Sequence, residues 1–441
     1  MTSGNRLIID ETNFFADAVG QAGITEQALA GLSPRLDDLR QRLAGWRQGS
    51  EPNFFHLPFE PDHLQTVYDW GQRITAGFEQ LVVLGMGGSS LGGEMLVHCL
   101  GGSEEFGDVL FIDNVDPLRI EETLEGVSWD ETMVLAISKS GNTAETLAQL
   151  LTILPHMERA IGGRAVREHL VAITEDDQGA LAEVARSLQV PVLPHPPVGG
   201  RYSVLSPVGL LPAYAAGVDV EAVLDGAAHM AERCLNHDIA DNPAFRGGGA
   251  QYLLAQAGRD QTILMPYFER LNKVGSWFRQ LWAESLGKLD NEGRHRGLTP
   301  ARALGATDQH SQLQLYLQGP PDKTFTLFIA DEMVYFGDRI PARFKDIAAV
   351  KPLAGHSVGE LLAAEFMATR ETLTRNGRPN RTIRMPALDG SVLGELIMLL
   401  EVETVVVAEL LGVDPFDQPA VEESKVLTRE YLAQMEGSIR L

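Results

Sequence analysis

Cysteine is nearly absent from this chain: Cys99 and Cys234 are its only two among 441 residues. They form no spaced pair suited to zinc or dithiol redox chemistry, so two buried, reduced thiols are expected. The histidines offer a metal no better start, since none of the eleven makes an H-x-H or H-x-x-x-H pair. Positive charge is also scarce. Lys and Arg number 36 against 60 Asp and Glu, a formal charge of -24 that repels polyanions and argues against nucleic acid or an anionic membrane as partner. Any small anionic ligand must then be caught by local, fixed donors. Low-complexity tracts and long Pro or Ser linkers are missing, and no uninterrupted apolar run is long enough for a membrane span. Residues 391–413 come nearest, but Glu395, Glu401, Glu403 and Glu409 break the run, and a buried core helix is expected there. The first thirty residues lack the basic-flanked apolar core of a secretory signal, so a cytoplasmic location is expected.

Apolar residues make up 44% and charged residues 22%, the balance of a globular protein. At roughly 100 to 200 residues per domain, the length suggests two or three domains. From about residue 55 to 220, buried strand candidates at 81–84, 109–112, 132–137, 169–173 and 190–193 alternate with helical segments. That alternation predicts a parallel sheet covered on both faces. A second series at 261–267, 324–330 and 382–385, between helical stretches such as 274–286 and 358–375, predicts a second α/β unit. The first 54 residues read as helical and irregular packing material, with apolar positions at helical spacing from Leu29 to Trp46. The tail from Asp414 reads as a charged amphipathic helix able to wrap back over the domains. The division expected is therefore 1–54, 55–220, 221–413 and 414–441.

Two loops at strand ends carry the first chemical signal. Ser138-Lys139-Ser140-Gly141-Asn142-Thr143 closes the apolar run 132–137 and opens an amphipathic stretch. Hydroxyls, an ammonium and the free amides of a helix start converge there, which makes a phosphate cradle that needs no metal. Gly85-Met86-Gly87-Gly88-Ser89-Ser90-Leu91-Gly92-Gly93 follows the strand at 81–84 and brings bare backbone against whatever lies above it. A dinucleotide fingerprint is the rival: Gly85 and Gly87 fit its first two glycines, Ser90 stands at the third, and Asp113 is placed to hold a ribose. That rival leaves the second loop unexplained. A P-loop fails outright, because no Gly-Lys-Ser/Thr triplet ends either loop.

Four further segments offer catalytic candidates, each with a plainer alternative. At 198–203 a Gly-Gly pair delivers Arg201 from a chain reversal, either as a fixed cation beside a developing oxyanion or as a solvated surface arginine. In 279–288, Gln280 and Glu284 share a helix face with Trp277, Leu281 and Trp282, surroundings that disfavour a bare carboxylate and suit a general base. The alternative is a Glu284–Lys288 pair at helical spacing. His310 lies near a loop-to-helix transition, where an imidazole can trade protons or simply be solvated. Gln418 and Lys425 stand seven residues apart, two helical turns on one face, where a lysine is ordinarily a solvated charge.

Taken together, GMGGSSLGG, SKSGNTAET, GGRYSVLSPVG, QLWAESLGK and GATDQHSQLQLYLQG stand in the order found in the phosphoglucose isomerase family, which the chain resembles from about residue 50 onward, in its short bacterial form. The resemblance implies an α/β fold of two sugar-isomerase (SIS) domains, flavodoxin-like with doubly wound parallel sheets, plus a helical N-terminal segment and a C-terminal helical tail. It implies a homodimer and an aldose-ketose interconversion of a sugar phosphate with no metal or nucleotide cofactor. Carried over by residue, Gly88, Ser89, Ser138, Lys139, Ser140 and Thr143 hold the phosphate end of the substrate, with Gln280 and Gln418 assisting. Glu284 matches the base that moves a proton between C1 and C2, Arg201 the residue that steadies the enediolate, and His310 with Lys425 the pair that opens the pyranose ring. The family's arrangement brings His310 from the neighbouring subunit. The chain departs from the family pattern at Pro196-Pro197. A dual isomerase that also accepts mannose 6-phosphate and a non-catalytic sugar-phosphate regulator are the alternatives. The regulator has no reason to keep Glu284, Arg201, His310 and Lys425 as a set.

Overall fold

The computed structural model describes residues 6–49, 54–102, 107–175 and 179–435. The strands among them are β1 (Ile8–Asp10), β2 (Gln80–Leu84), β3 (Val109–Ile112), β4 (Thr132–Ile137), β5 (Leu170–Thr174), β6 (Val192–Pro194), β7 (Gln261–Pro266), β8 (Lys288–Leu289), β9 (His295–Arg296), β10 (Thr299–Arg302), β11 (Lys323–Ala330) and β12 (Asn380–Met385). They form a mixed α/β structure with two five-stranded sheets and one short two-stranded ribbon.

The first sheet has the order β3-β2-β4-β5-β6, all parallel. Its central strands are apolar without interruption because both faces are covered. Val82, Leu84, Val134 and Ala136 point into one core cluster, while Leu81, Val83, Met133 and Leu135 point into another. Each such large side chain contributes roughly 1.5–3 kcal/mol relative to an exposed one. The chain moves from β2 outward to β3 and then returns to the far side of β2 as β4. The winding therefore reverses between β2 and β4, and the loops that leave their carboxyl ends face each other across that crevice.

The second sheet, β10-β7-β11-β12-β1, repeats the winding in four parallel strands and adds β1 antiparallel at its edge. Strands β7, β11 and β12 fall within a few residues of the expected positions. The N-terminal segment, expected to be helical and irregular, supplies the edge strand β1. Three residues, Ile8-Ile9-Asp10, are too few to show a period, so only their pairing with β12 makes them a strand. The same holds for β10, whose Thr-Pro-Ala-Arg has no apolar alternation. Conversely, Leu313-Gln314-Leu315-Tyr316-Leu317 alternates yet forms the helix Leu313–Gln318.

The long helix Gly390–Leu411 packs against the helices Val220–Arg233, Pro243–Gln256 and Asn272–Leu286 and is buried on nearly every side. Asp389 caps its start by accepting from the Val392 amide at 3.0 Å. Its interior glutamates are mostly partnered: Glu395 accepts from the Leu7 amide and pairs with Arg6 and His229, and Glu403 pairs with Arg381. Glu401 has no partner among the described residues, and burial drives it toward its neutral form. No helix among the described residues is long and apolar enough to cross a membrane.

The tail behaves in two ways. Phe416 packs against Trp46, Phe54 and Tyr202, with ring centroids 5.7, 6.3 and 5.4 Å away. The terminal helix Glu422–Gln434 buries none of its residues, although it carries Val426, Leu427, Tyr431 and Leu432. Residues 436–441 lie outside the described ones.

Candidate active site

The Gly-rich loop after β2 lies directly on the loop that carries Arg201. A Cβ on Gly88 would run into the Gly200 carbonyl, and one on Gly87 would come within 2.8 Å of Gln280 Nε2. Bare backbone at these two positions is what lets three segments from distant parts of the chain meet. Arg201 sits in the short 3-10 turn Gly200–Tyr202 and is only 2% exposed. Burying a guanidinium requires that its donors be satisfied, and here they are. Nε donates to Ser285 Oγ at 2.8 Å. One terminal nitrogen donates to Gln418 Oε1 at 2.9 Å and lies 3.3 Å from Glu284 Oε2. The other donates to the carbonyls of Asp417, at 2.9 Å, and Pro415.

Glu284 lies in the last turn of the helix Asn272–Leu286, with its side chain 34% exposed. Gln280 Nε2 donates to its Oε1 at 3.1 Å, so both oxygens face polar groups. The expected apolar surroundings are a different face of this helix: Trp277, Leu281 and Trp282 are turned into the core. Gln280 Oε1 is buried with no partner among the described residues. The alternative Glu284–Lys288 pair is not formed, because Lys288 lies 2.8 Å from Asp417 Oδ1 instead. Burial pulls the Lys288 ammonium below its usual range, with the Asp417 bond opposing that shift. A cavity of about 890 Å³, within the size range of small-molecule sites, opens beside Glu284 and is lined also by Lys288, His295 and Gln418.

The loop after β4 opens the helix Ala144–Ile161. Ser138 Oγ donates to Thr143 Oγ1 at 3.0 Å, which closes the turn, and Ser140 Oγ accepts from the Asn142 amide at 3.2 Å. Lys139 is half-exposed and stands 3.7 Å from Glu175, a loose contact that leaves its ammonium available. Ser89 lies in the short turn Gly87–Ser89 on the opposite side of the crevice. Among the described residues, no three His, Cys, Asp or Glu side chains are grouped to hold a metal ion.

One copy of the chain does not bring all the candidates together. Arg201, Gln280, Glu284 and Gln418 touch one another, and Gly88 abuts the Arg201 loop. His310, in the helix Thr307–Ser311, reaches none of them: its side chain makes no hydrogen bond among the described residues. Lys425 is exposed on the terminal helix and pairs with Glu422 at 2.6 Å. The expected single helical face for Gln418 and Lys425 is not formed either. Gln418 precedes the 3-10 turn Pro419–Val421, and the helix begins only at Glu422. Three groups not expected from the sequence also hold the site: Ser285, which bridges Arg201 and the Tyr202 hydroxyl, and the carbonyls of Pro415 and Asp417. Ser285 carries a readable signal, a hydroxyl on the apolar face of an amphipathic helix; main-chain carbonyls carry none.

Residues 64–441 match the sequence model of the family described as phosphoglucose isomerase. A glucose-6-phosphate isomerase of Rubrobacter xylanophilus is 40% identical over 421 residues, which covers 92% of this chain and 94% of the relative. One of Carboxydothermus hydrogenoformans is 37% identical, covering 97% and 95%. Among solved structures, a hypothetical protein of Thermus thermophilus superposes with a TM-score of 0.85 at 34% identity, covering 97% of this chain and all of the other.

Proposed function

The chain belongs to the phosphoglucose isomerase family, and from that premise we propose that its chemistry runs in the crevice between the Gly-rich and the Ser-rich loop, with Glu284 as the base and Arg201 as the fixed cation. The activity is that of a glucose-6-phosphate isomerase, the reversible aldose-ketose interconversion of D-glucose 6-phosphate and D-fructose 6-phosphate. The observation that carries the site reading is the Arg201–Glu284 contact at 3.3 Å, made by residues 83 positions apart and held by Gln280 and Gln418.

A proton on the carbon next to a carbonyl is too weakly acidic for an unaided carboxylate to remove quickly. A cation beside the developing oxyanion and a base already in place both lower that barrier. Glu284 takes the proton from C2 of the open-chain aldose and returns it to C1 on the same face, through a cis-enediolate steadied by Arg201, while the hydroxyl proton on O2 passes to O1. Ser138, Lys139, Ser140 and Thr143, with Gly88 and Ser89 opposite, hold the phosphate, whose binding free energy orients C1 and C2. Lys139→Ala should raise KM for fructose 6-phosphate about tenfold or more with little change in thermal stability, because a half-exposed lysine contributes little to folding. Unchanged affinity in a coupled assay would remove Lys139 from the cradle.

Ring opening falls to His310 and Lys425, and His310 requires a second copy. The terminal helix exposes Val426, Leu427, Tyr431 and Leu432 along a length that is buried by nothing among the described residues of its own chain, which supports a homodimer in which elements cross between subunits. In that arrangement each active site takes His310 from the partner subunit. Mixing inactive Glu284→Gln and His310→Asn chains under subunit exchange should then restore about a quarter of the wild-type activity, since half the dimers are hybrids with one intact site each. No recovery despite exchange would place His310 within its own subunit. The two sheets are read as two sugar-isomerase domains of flavodoxin-like winding, 55–220 and 221–413, a division supported by the matching strand reversals at β2/β4 and β7/β11.

A further inference from the structure

Residues Asp414-Pro415-Phe416-Asp417-Gln418 are gripped from two sides. On one side Arg201 donates to two carbonyls and to Gln418 Oε1. On the other, Lys288 Nζ donates to the Asp414 carbonyl and lies 2.8 Å from Asp417 Oδ1, with its side chain 8% exposed. Lys288 follows Glu284 by four residues, just beyond the end of the helix Asn272–Leu286, where an ammonium also meets the negative end of the helix dipole. An ammonium buried that far serves either packing or position, and its two partners both belong to the segment that holds Arg201.

We propose that Lys288 is a positioning residue for the isomerisation, clamping residues 414–418 to the end of the Glu284 helix so that their oxygens hold the Arg201 guanidinium against Glu284. This rests on the reading of Arg201 as the cation beside the enediolate. Of the Arg201 acceptors among the described residues, only Ser285 and Glu284 lie outside the clamped segment. Asp414, Asp417 and Gln418 are themselves exposed, so the hold on Arg201 is only as firm as the anchoring of that segment. Without the ammonium, the Phe416 ring contacts remain, but they fix a side chain and leave the carbonyls free to rotate. The guanidinium fork then loses the plane in which it meets the carboxylate. The phosphate cradle at 138–143 is untouched and Gln418 is the one substrate-holding residue in the clamped segment, so the loss falls mainly on kcat.

The test is a cycle of Lys288→Met, Arg201→Ala and the double variant, with kcat and KM for fructose 6-phosphate expressed per folded protein from thermal melts. Lys288→Met should lower kcat about tenfold with KM changed less than about twofold. Added to Arg201→Ala it should cost less than about a further twofold, because a residue that acts through Arg201 has nothing left to position. Equal losses in both backgrounds would overturn the clamp, as would an unchanged kcat. Should Lys288→Met not fold, Asp417→Asn carries the test, since that side chain is 54% exposed and its carbonyl to Arg201 is kept. It too should lower kcat, and normal turnover there would overturn the proposal. Arg201→Ala with near-normal turnover would instead defeat the Arg201 reading itself, whatever Lys288 does.

Discussion

Replacing Glu284 with glutamine should slow conversion of fructose 6-phosphate to glucose 6-phosphate at least about a hundredfold, with KM kept within a few-fold. Glutamine keeps the shape and one hydrogen-bond acceptor but cannot take a proton. With the variant's amide oxygen turned toward Arg201, which lies 3.3 Å from Glu284 Oε2, its NH2 faces Gln280, whose own amide can turn over to present its oxygen, so the geometry of the cleft survives. The side chain is one-third exposed at the surface of a helix, and its change leaves the core on the other face intact. A loss of turnover without a loss of binding is therefore assigned to chemistry. Steady-state kinetics coupled to a glucose 6-phosphate readout measure it directly, and turnover near that of the unchanged enzyme would take the base away from Glu284. Exchange of the C2 proton with solvent gives a second readout, because an enzyme without its base should lose exchange and isomerisation together.

The parts of this protein that could be read in advance are those in which local sequence and tertiary role agree. β2 and β4 are continuous apolar runs because each is covered on both faces, and the loops after them carry glycine or hydroxyl residues because backbone or anions approach there. The helix at 358–375 shows its period over eighteen residues. β1 and β10 could not be read, since three or four residues with a proline or an acid among them become strands only through the partner already waiting at the sheet edge. The site divides along the same line. The side chains that meet near Arg201 sit in segments with a legible chemical bias, whereas the carbonyls of Pro415 and Asp417 depend on the path of a segment more than two hundred residues away. His310 and Lys425 mark a further limit, because neither reaches the Arg201 cleft within one chain and the fold of a single copy gives them no part in it.

A second large effect is expected far from the cleft, where Arg381→Met should destabilise the fold by roughly 3–5 kcal/mol. Arg381, on β12, is 1% exposed and meets Glu403 of the helix Gly390–Leu411 through two bonds of 2.5 and 2.7 Å. Its Nε donates to Thr326 on β11 at 3.0 Å, and Glu11, just after β1, lies 3.5 Å away. One guanidinium thus ties the N-terminal segment, two strands and the central helix. Burial works against its charge, but Glu403 and Glu11 more than offset this and raise its pKa further. The two carboxyls do not respond alike when it is removed. Burial, the largest influence, pushes Glu11 up to about 7 against the downward pull of Arg381 and Arg246, and Arg246 still stands 3.1 Å away when Arg381 is gone. Glu403 is left with the Gln251 amide at 3.3 Å and bears most of the penalty. Adding Glu403→Leu to Arg381→Met should therefore recover a large part of the loss, as expected when an ion pair is replaced whole by apolar side chains. Urea denaturation of the three proteins measures both quantities. A double variant no more stable than Arg381→Met would mean that the cost lies in lost packing around Thr326 and Glu11, and not in a stranded carboxylate.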